Sequence, residues 1–348
     1  NAYGEMKHVF TESWQDIGDL EALANAQRQR FISRGKHKMQ LDDRGVLVKE
    51  GASTPEALAV AHPPLTARHL YPTVYRSSAK VSLMHAPATY EMEYVDVPSL
   101  TEQWLYWPGL PETWSYITTS LIEQMQLYHW SREDFRPALG RGLKERAEAM
   151  YITKLKKRYE KVTPTVVPPW SKTPQIFVNG RPALGGPALI DEVCETMSHF
   201  VETSPDFGGT IHGDLYFGNV LWSARTGIFK LLDPRGAWGG IRSIGSLGDI
   251  RYDLAKIGFS PLLAPIGHHL FETHTDGERG WNLFAWPERD EEIDAVDDAV
   301  VASVEGFSHA ELEVMKVYLC LSSAPLHEPR EATALYLTAV ERWASLSR

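Results

Sequence analysis

The sequence predicts an α+β chain with two lobes, a small lobe of antiparallel strands followed by a larger, mainly helical lobe. Short apolar segments separated by turn residues run from Arg30 to Glu50, which is typical of antiparallel strands. Apolar residues at helical spacing dominate from Trp114 onward. The 348 residues are enough for two lobes around a cleft, and we expect residues 1–95 to form the first and residues 96–348 the second.

Composition limits the classes of function. Hydrophobic residues make up 43% and charged residues 23%, which is ordinary for a globular protein. The net charge of -10, with no basic arm, argues against a nucleic-acid partner. No run of about 18 apolar residues predicts a membrane span. Cys194 and Cys320 lack the spacing of a zinc site or a disulfide scaffold, so we expect a cytoplasmic protein. The oligomeric state stays open.

The predicted first lobe contains three early strands, a short helix and a last strand. The early strands are Arg30–Ile32, Lys38–Leu41 and Val46–Glu50, the last two joined by a turn at Asp42–Gly45. The short helix, Pro55–His62, is stopped by two prolines. A strand at Tyr90–Val95 ends the predicted lobe.

The second lobe is predicted from helical periodicity and one hairpin. Apolar residues recur at helical spacing over Trp114–Tyr128 and again over Ile190–Val201. The segment Leu143–Tyr159 is a charged helix, and its basic stretch Lys154–Lys161 favours a solvated face over a polyphosphate site. Asn179-Gly180 predicts a tight hairpin turn.

The most specific motif is Thr-Ile-His-Gly-Asp-Leu-Tyr-Phe-Gly-Asn, residues 210–219, followed by Leu-Leu-Asp at 231–233. Short apolar strands bracket the first part, and the strand Ile228–Leu232 delivers Asp233 at its end. Phosphoryl transfer from ATP needs a carboxylate for the acceptor hydroxyl and oxygen ligands for Mg²⁺. Asp214, Asn219 and Asp233 supply these groups in the required order.

The His-Gly-Asp sequence with Asn five residues later resembles the catalytic loop of the aminoglycoside phosphotransferase and choline kinase superfamily, which has a protein-kinase-like fold. The resemblance implies that ATP and Mg²⁺ are the cofactors, that Asp214 is catalytic, and that Asn219 and Asp233 bind the metal. It also implies that Asp253 holds the backbone of the loop. His212 is expected to be structural.

The resemblance also assigns residues of the first lobe to the nucleotide. Lys49 would bind the phosphates, although an exposed lysine at the sheet edge is the alternative. Glu56 would pair with Lys49 or serve as a first-turn acid of its helix. Ser33 lies in a turn that would cover the phosphates, and turn chemistry alone also explains that segment. Main-chain groups near Glu93 and Val95 would bind adenine, and a preference for ATP or GTP stays open.

Several segments narrow the resemblance to bacterial phosphotransferases associated with capsule or surface-polysaccharide biosynthesis. These are Tyr90–Tyr94, Leu232–Gly236, Gly248–Lys256 and Leu319–His327. The chain departs from the pattern in its short helix after Lys49 and in the segment Pro261–Asp290.

The expected function is therefore transfer of a phosphoryl group to a hydroxyl of a small molecule, a sugar or a glycan precursor. A non-catalytic nucleotide-binding pseudokinase and an antibiotic-type phosphotransferase are the alternatives. A protein kinase is disfavoured because no Ala-Pro-Glu motif occurs. Arg235 would contact the transferred phosphate or an anionic substrate, or else pair with a nearby carboxylate. His268, His269 and Trp281 would line the acceptor site on a segment that otherwise is a surface loop.

Overall fold

The computed structural model describes residues 38–80, 87–107, 109–130, 140–160, 174–235, 247–276, 280–286 and 288–346. The chain divides into two compact units. The first contains the described residues up to Ala57 and Thr73–Tyr94, and the second contains Leu58–Pro72 and the described residues from Val95 onward. The boundary expected at residue 95 would include Leu58–Pro72 in the first lobe. The contacts of this segment instead group it with the helical unit.

The described residues of the first unit form a four-stranded antiparallel sheet of order β1-β2-β4-β3. Its strands are β1 Lys38–Leu41, β2 Val46–Ser53, β3 Val74–Ser77 and β4 Pro87–Glu93. The predicted turn between β1 and β2 forms because an Asp42 carboxylate oxygen accepts from the Arg44 and Val46 amides, while Gly45 takes a φ of 74°. The strand predicted at Arg30–Ile32 lies outside the described residues.

Strand β2 is longer than its apolar run indicates. It continues to Ser53 past a register shift between Lys49 and Ala52, and helix α1, Thr54–Ala61, follows directly. Because side chains alternate along a strand, Lys49 falls on the same face as buried Leu47. The Lys49 side chain is therefore in the interior of the unit rather than at an exposed edge.

The second unit is mainly helical, which confirms the α+β class. Its longer helices are α2 Leu100–Tyr106, α3 Pro111–Gln124, α4 Gly140–Glu148, α5 Lys154–Glu160, α6 Gly186–Thr203, α7 Ile250–Gly267, α8 Asp290–Ala302, α9 His309–Ser323 and α10 Pro329–Leu346. One-turn π segments continue α3 over Met125–His129 and link α4 to α5 over Ala149–Thr153. None of the helices in the described part of the chain has the length and apolar character needed to cross a bilayer.

Short strands in the described part of the second unit form three small sheets. The strands are β5 Gln175–Val178, β6 Arg181–Leu184, β7 Gly208–Thr210, β8 Val220–Ser223, β9 Ile228–Leu231, β10 Leu247–Asp249, β11 Phe271–Asp276 and β12 Gly280–Ala285. Their orders are β10-β7, β8-β9 and β11-β12-β5-β6. The β5–β6 hairpin turns at Asn179-Gly180, where both residues have positive φ angles, as the sequence predicts.

An aromatic cluster supports the turn that follows the His-Gly-Asp sequence. The Trp104 and Trp114 rings pack edge to face at 4.7 Å, and Phe217 stacks on Trp114 at 5.8 Å. The Phe217 amide donates to the Ser260 hydroxyl at 2.8 Å. Since Phe217 begins the 3₁₀ turn Phe217–Asn219, helices α2, α3 and α7 together fix the position of Asn219.

The sequence predicts a loop over Pro261–Asp290, and for most of this segment the structure differs. Helix α7 continues through Pro261 and Pro265 to Gly267, and a β-hairpin of β11 and β12 follows. Proline weakens a helix by removing an amide donor, but most of this helix is buried, and tertiary packing outweighs the local cost. The hairpin joins β5 through a short parallel pairing.

Candidate active site

The backbone of the His-Gly-Asp loop is held from below by one carboxylate. Strand β7 leads into the loop and pairs with β10. Helix α7 starts directly after β10, so the first turn of α7 places Asp253 next to the loop. The Asp253 carboxylate accepts from the amides of His212 and Gly213, both at 2.7 Å, and from the Trp130 indole at 3.0 Å. Gly213 has a φ of 80°, a backbone conformation that would be strained in a residue with a side chain.

Burial shifts the pKa of Asp253 upward to about 6, while its three hydrogen-bond donors act in the opposite direction. The carboxylate is fully buried and contacts no bulk water. Asp253 therefore orients the loop and does not itself reach a reacting group.

His212 is a buried, neutral part of the same loop. Its Nδ1 accepts from the Asp214 amide at 3.3 Å, and its ring stacks on Tyr71 at 6.3 Å. Burial and the neighbouring His129 lower the pKa of His212 to about 3. Burial likewise lowers the pKa of His129 to about 4. Both imidazoles are therefore uncharged near neutral pH, and His212 acts through its hydrogen bonds and packing.

Asp214 is partly exposed and lies between two cations. Its Oδ1 is 2.9 Å from the Lys256 ammonium and its Oδ2 is 4.0 Å from the Arg235 Nε. Burial alone would raise the pKa of Asp214, but Lys256 and Arg235 outweigh burial and hold this pKa below its usual range. Asp214 is therefore ionised at neutral pH and accepts protons weakly. Arg235 pairs with Asp214, which is the salt-bridge alternative left open by the sequence.

Lys256 also belongs to the candidate active site, although the sequence motifs do not identify it. It lies on α7 three residues after Asp253, so both side chains project from the same face of the helix toward the loop. Its side chain is 9% exposed and its ammonium lies 5.9 Å from the Tyr216 ring. The only trace of Lys256 in the sequence is its spacing of three residues from Asp253. This spacing indicates a role at Asp214 only when Asp253 is known to lie beneath the loop.

Asn219 and Asp233 are connected through the backbone. The side-chain Nδ2 of Asn219 donates to the Asp214 backbone carbonyl at 2.9 Å. The side-chain oxygen of Asn219 is therefore the atom of this amide that a cation could use. The Leu232 amide donates to the Asn219 carbonyl, and the Arg235 amide donates to the His212 carbonyl, each at 2.8 Å. Asp233, between these two bonds, has a φ of 54°, which is uncommon for a non-glycine residue.

The donor set of Asn219 and Asp233 fits a hard cation. Amide and carboxylate oxygens suit Mg²⁺, which usually takes one or two protein ligands and completes its shell with phosphates and water. No group of three or more His, Cys, Asp or Glu side chains suited to a metal occurs in the part of the chain that the structure describes. One side-chain amide and one carboxylate are too few ligands for a metal site made by the protein alone. They fit a metal ion whose other ligands are nucleotide phosphates and water.

In the first unit, Lys49 and Glu56 form an ion pair. The Lys49 ammonium lies 2.7 Å from the Glu56 carboxylate, and both side chains are largely buried. The Tyr90 hydroxyl lies 3.5 Å from the same carboxylate, and the Lys49 ammonium lies 5.9 Å from the Tyr90 ring centre. The seven-residue spacing suffices because α1 starts at the end of β2.

Glu93 and Val95, which are also predicted to bind the nucleotide, make main-chain hydrogen bonds within the chain. The Glu93 amide donates to the Thr73 carbonyl at 2.8 Å, and the Val95 carbonyl accepts from the Val97 amide at 2.9 Å. The adenine assignment would therefore use the Glu93 carbonyl and the Val95 amide. Ser33 lies outside the described residues.

His268, His269 and Trp281 lie at the end of α7 and on the following hairpin. His268 caps α7, and His269, with a φ of 60°, places its Nδ1 2.8 Å from the Glu331 carboxylate on α10. Trp281 lies in β12, and its carbonyl accepts from the Asn179 amide at 2.8 Å. The contacts of His269 and Trp281 thus tie this region to α10 and to the β5–β6 hairpin, and the acceptor role stays a prediction.

No protein-family model matches this sequence, and no curated protein matches it. Among solved structures, the chain is similar to an aminoglycoside phosphotransferase from Streptomyces rimosus, with a TM-score of 0.48, 12% identity and coverage of 89% of this chain and 99% of that one. A choline kinase from Cryptosporidium parvum has a TM-score of 0.47 and 11% identity, with 94% of each chain covered. An ethanolamine kinase from Plasmodium vivax has a TM-score of 0.46 and 9% identity, with 91% and 81% covered.

Proposed function

We propose that this chain is an ATP- and Mg²⁺-dependent kinase that transfers the γ-phosphate to a hydroxyl of a small molecule. The observation that carries the proposal is the arrangement around Asp214. The ionised Asp214 carboxylate and the Asn219 amide oxygen lie on a loop whose backbone is fixed by Asp253. The second carboxylate, Asp233, follows β9, and the backbone on either side of it is hydrogen-bonded to that loop. Phosphoryl transfer needs such positioning more than it needs strong base chemistry.

Asp214 would accept a hydrogen bond from the acceptor hydroxyl and orient its oxygen toward the phosphorus. The Lys256 ammonium, 2.9 Å from Asp214, holds the carboxylate in place and keeps it ionised. A weakly basic aspartate suits a loose transition state, in which the proton leaves late. Asn219 and Asp233 would hold Mg²⁺, which when bound neutralises charge on the phosphates.

The first unit, together with Val95 directly after it, would bind the nucleotide. The Lys49–Glu56 pair fixes the lysine side chain in one orientation, which favours a role as a phosphate ligand. Main-chain groups at Glu93 and Val95 would bind the adenine. The acceptor would be a sugar or a glycan precursor, and surface-polysaccharide biosynthesis in the cytoplasm is the process that the sequence resemblance suggests.

The test is formation of ADP by the full chain with Mg-ATP and a panel of sugars, amino sugars, sugar phosphates and alcohols. The proposal predicts Mg²⁺-dependent nucleotide binding in the wild type and ADP formation that an acceptor accelerates. Nucleotide binding without any turnover would favour a non-catalytic nucleotide-binding protein. Absence of Mg²⁺-dependent nucleotide binding would overturn the proposal.

A further inference from the structure

Lys256 differs from another buried lysine of the same unit in how its charge is compensated. Lys316 on α9 is fully buried, and its ammonium contacts the carboxylates of Asp297 and Glu313. The Lys256 ammonium, also in a largely buried side chain, contacts a single carboxylate in the described part of the chain, that of Asp214 at 2.9 Å. A buried ammonium is costly unless its charge is paired and its donors are satisfied. Lys316 has the partners that a purely structural role requires, whereas Lys256 has fewer.

The Lys256 ammonium has more hydrogen-bond donors than the described residues accept. An ammonium carries three N–H donors, and Asp214 Oδ1 is the one oxygen of the described residues that the ammonium contacts. Its other neighbours are aromatic rings, with centres 5.9, 5.8 and 6.0 Å away in Tyr216, Tyr252 and Phe259. Ring faces attract a cation but do not replace oxygen acceptors. The remaining donors are therefore available to an oxygen-bearing group that enters next to Asp214.

Asp214 divides its two oxygens between Lys256 and the acceptor. Its Oδ1 contacts Lys256, whereas its Oδ2 lies 4.0 Å from the Arg235 Nε, which is beyond hydrogen-bond distance. An acceptor hydroxyl that donates to Oδ2 would lie about 2.7 Å from it. The oxygen of that hydroxyl attacks the γ-phosphorus, so the transferred group comes close to the carboxylate that Lys256 contacts. The negative charge of the phosphoryl oxygens would then lie beside a buried ammonium with unused donors.

We propose that Lys256 is a second catalytic residue, which donates a hydrogen bond to an oxygen of the γ-phosphoryl group. This inference rests on the proposed function, and it adds a direct contact to the support that Lys256 gives Asp214. In the transfer, the acceptor oxygen forms a bond to phosphorus, and the bond from phosphorus to the bridging oxygen of ADP breaks. The hydroxyl proton leaves late through Asp214 to water. Lys256 stays protonated throughout and stabilises the charge on the phosphoryl oxygens.

Two roles of Lys256 can be separated in a chain that lacks the Asp214 charge. If Lys256 only pairs with Asp214, its removal affects the γ-phosphate through the repulsion of an unpaired carboxylate, and Asp214→Asn abolishes that repulsion. If Lys256 donates to the γ-phosphate itself, its removal still weakens binding of a nucleotide with a γ-phosphate when Asp214→Asn is present. The comparison between the two backgrounds isolates the direct contact.

The experiment is calorimetric titration of the full chain with Mg-ADP and with a Mg²⁺-bound, non-hydrolysable ATP analogue. Asp214→Asn is the reference, and Lys256→Met is added to it. We expect the added change to lower the affinity for the ATP analogue about tenfold or more, as for one lost charge-assisted hydrogen bond, and to leave the affinity for Mg-ADP unchanged. Lys157→Met, added to the same reference, removes an exposed lysine of α5 and should change neither affinity. Lys256→Gln takes the place of Lys256→Met if the latter does not fold.

Three results would overturn the inference. One is equal affinity for the ATP analogue with and without Lys256→Met in the Asp214→Asn chain, which would limit Lys256 to pairing with Asp214. The second is an equal loss for Mg-ADP and the ATP analogue, and the third is a loss of the same size in Lys157→Met. A wild type that binds neither nucleotide would instead contradict the proposed kinase function, on which the inference rests.

Discussion

Two regions of the helical unit, residues 210–235 and residues 261–288, show how differently sequence patterns translate into structure. In the first, polar residues between short apolar strands predict a loop with Asp214, Asn219 and Asp233, and the structure contains that loop with its flanking strands. In the second, the sequence predicts a loop, and the structure contains a helix end and a β-hairpin.

The difference has a physical origin. The strands of the first region are predicted by local features, namely strand alternation and the Thr226-Gly227 turn, with Gly227 at a φ of 68°, although Asp253 then holds the loop between them. The second depends on distant partners, since β12 pairs with β5 about 100 residues earlier, and Arg330 of α10 donates to the Phe271 carbonyl. Nonlocal burial of this kind leaves little trace in a short stretch of sequence.

The largest expected difference between the two regions is the effect on kcat of replacing a carboxylate in each, and Asp214→Asn tests the first region. Losing the positioned carboxylate is expected to lower kcat on the order of 10²–10⁴-fold while the fold and nucleotide binding survive. The exposed hairpin residue Glu272 provides a control, and Glu272→Gln should leave kcat unchanged. Turnover of Asp214→Asn near the wild-type rate would exclude a catalytic role for Asp214.

Asp253→Ala is expected to cause the next largest effect, this time on stability. It would leave the His212 and Gly213 amides and the Trp130 indole without their acceptor, at a cost on the order of 3 kcal/mol. Urea unfolding would measure the change in the free energy of unfolding. Asp253→Asn, which keeps one oxygen acceptor, should lose less, and equal stability of Asp253→Ala and wild type would contradict the support role.

The pH dependence of kcat should reveal the same residue. As the pH falls through about 6, Asp253 takes up a proton and accepts weaker hydrogen bonds from the loop, so kcat should fall. Asp214 does not titrate there because its pKa is held low. A raised carboxyl pKa means that the folded state binds the proton more tightly than the unfolded state, so this group's contribution to stability rises as kcat falls. An identical acid limb in Asp253→Asn would exclude Asp253 as its source.

Smaller effects are expected in the hairpin region. Replacing His268, His269 and Trp281 one at a time should raise the acceptor KM about fivefold each, as for one lost neutral hydrogen bond, without changing Mg-ATP binding. Unchanged acceptor kinetics in all three variants would place the acceptor site elsewhere in the helical unit.

Single residues show where sequence reasoning succeeded and where it could not. The Asn179-Gly180 hairpin and the strands around Asp214 were predicted correctly because their signals are local. The sequence leaves the Lys49–Glu56 pair open because its helix is short and because nothing in the sequence reveals that β2 runs directly into α1. Lys256 was overlooked because its contact with Asp214 depends on how α7 packs beneath the loop.

The most direct test of the central claim, that residues 210–235 form a Mg²⁺-nucleotide phosphoryl-transfer centre, is calorimetric titration with a Mg²⁺-bound, non-hydrolysable ATP analogue. Wild type, Asn219→Ala and Asp233→Ala would be compared with and without Mg²⁺. We expect Mg²⁺-dependent binding in the wild type, a reduction in Asn219→Ala and a larger reduction in Asp233→Ala, because a carboxylate brings more negative charge to the cation than an amide oxygen. Equal affinity of wild type and Asp233→Ala for the Mg²⁺-bound nucleotide would contradict the account.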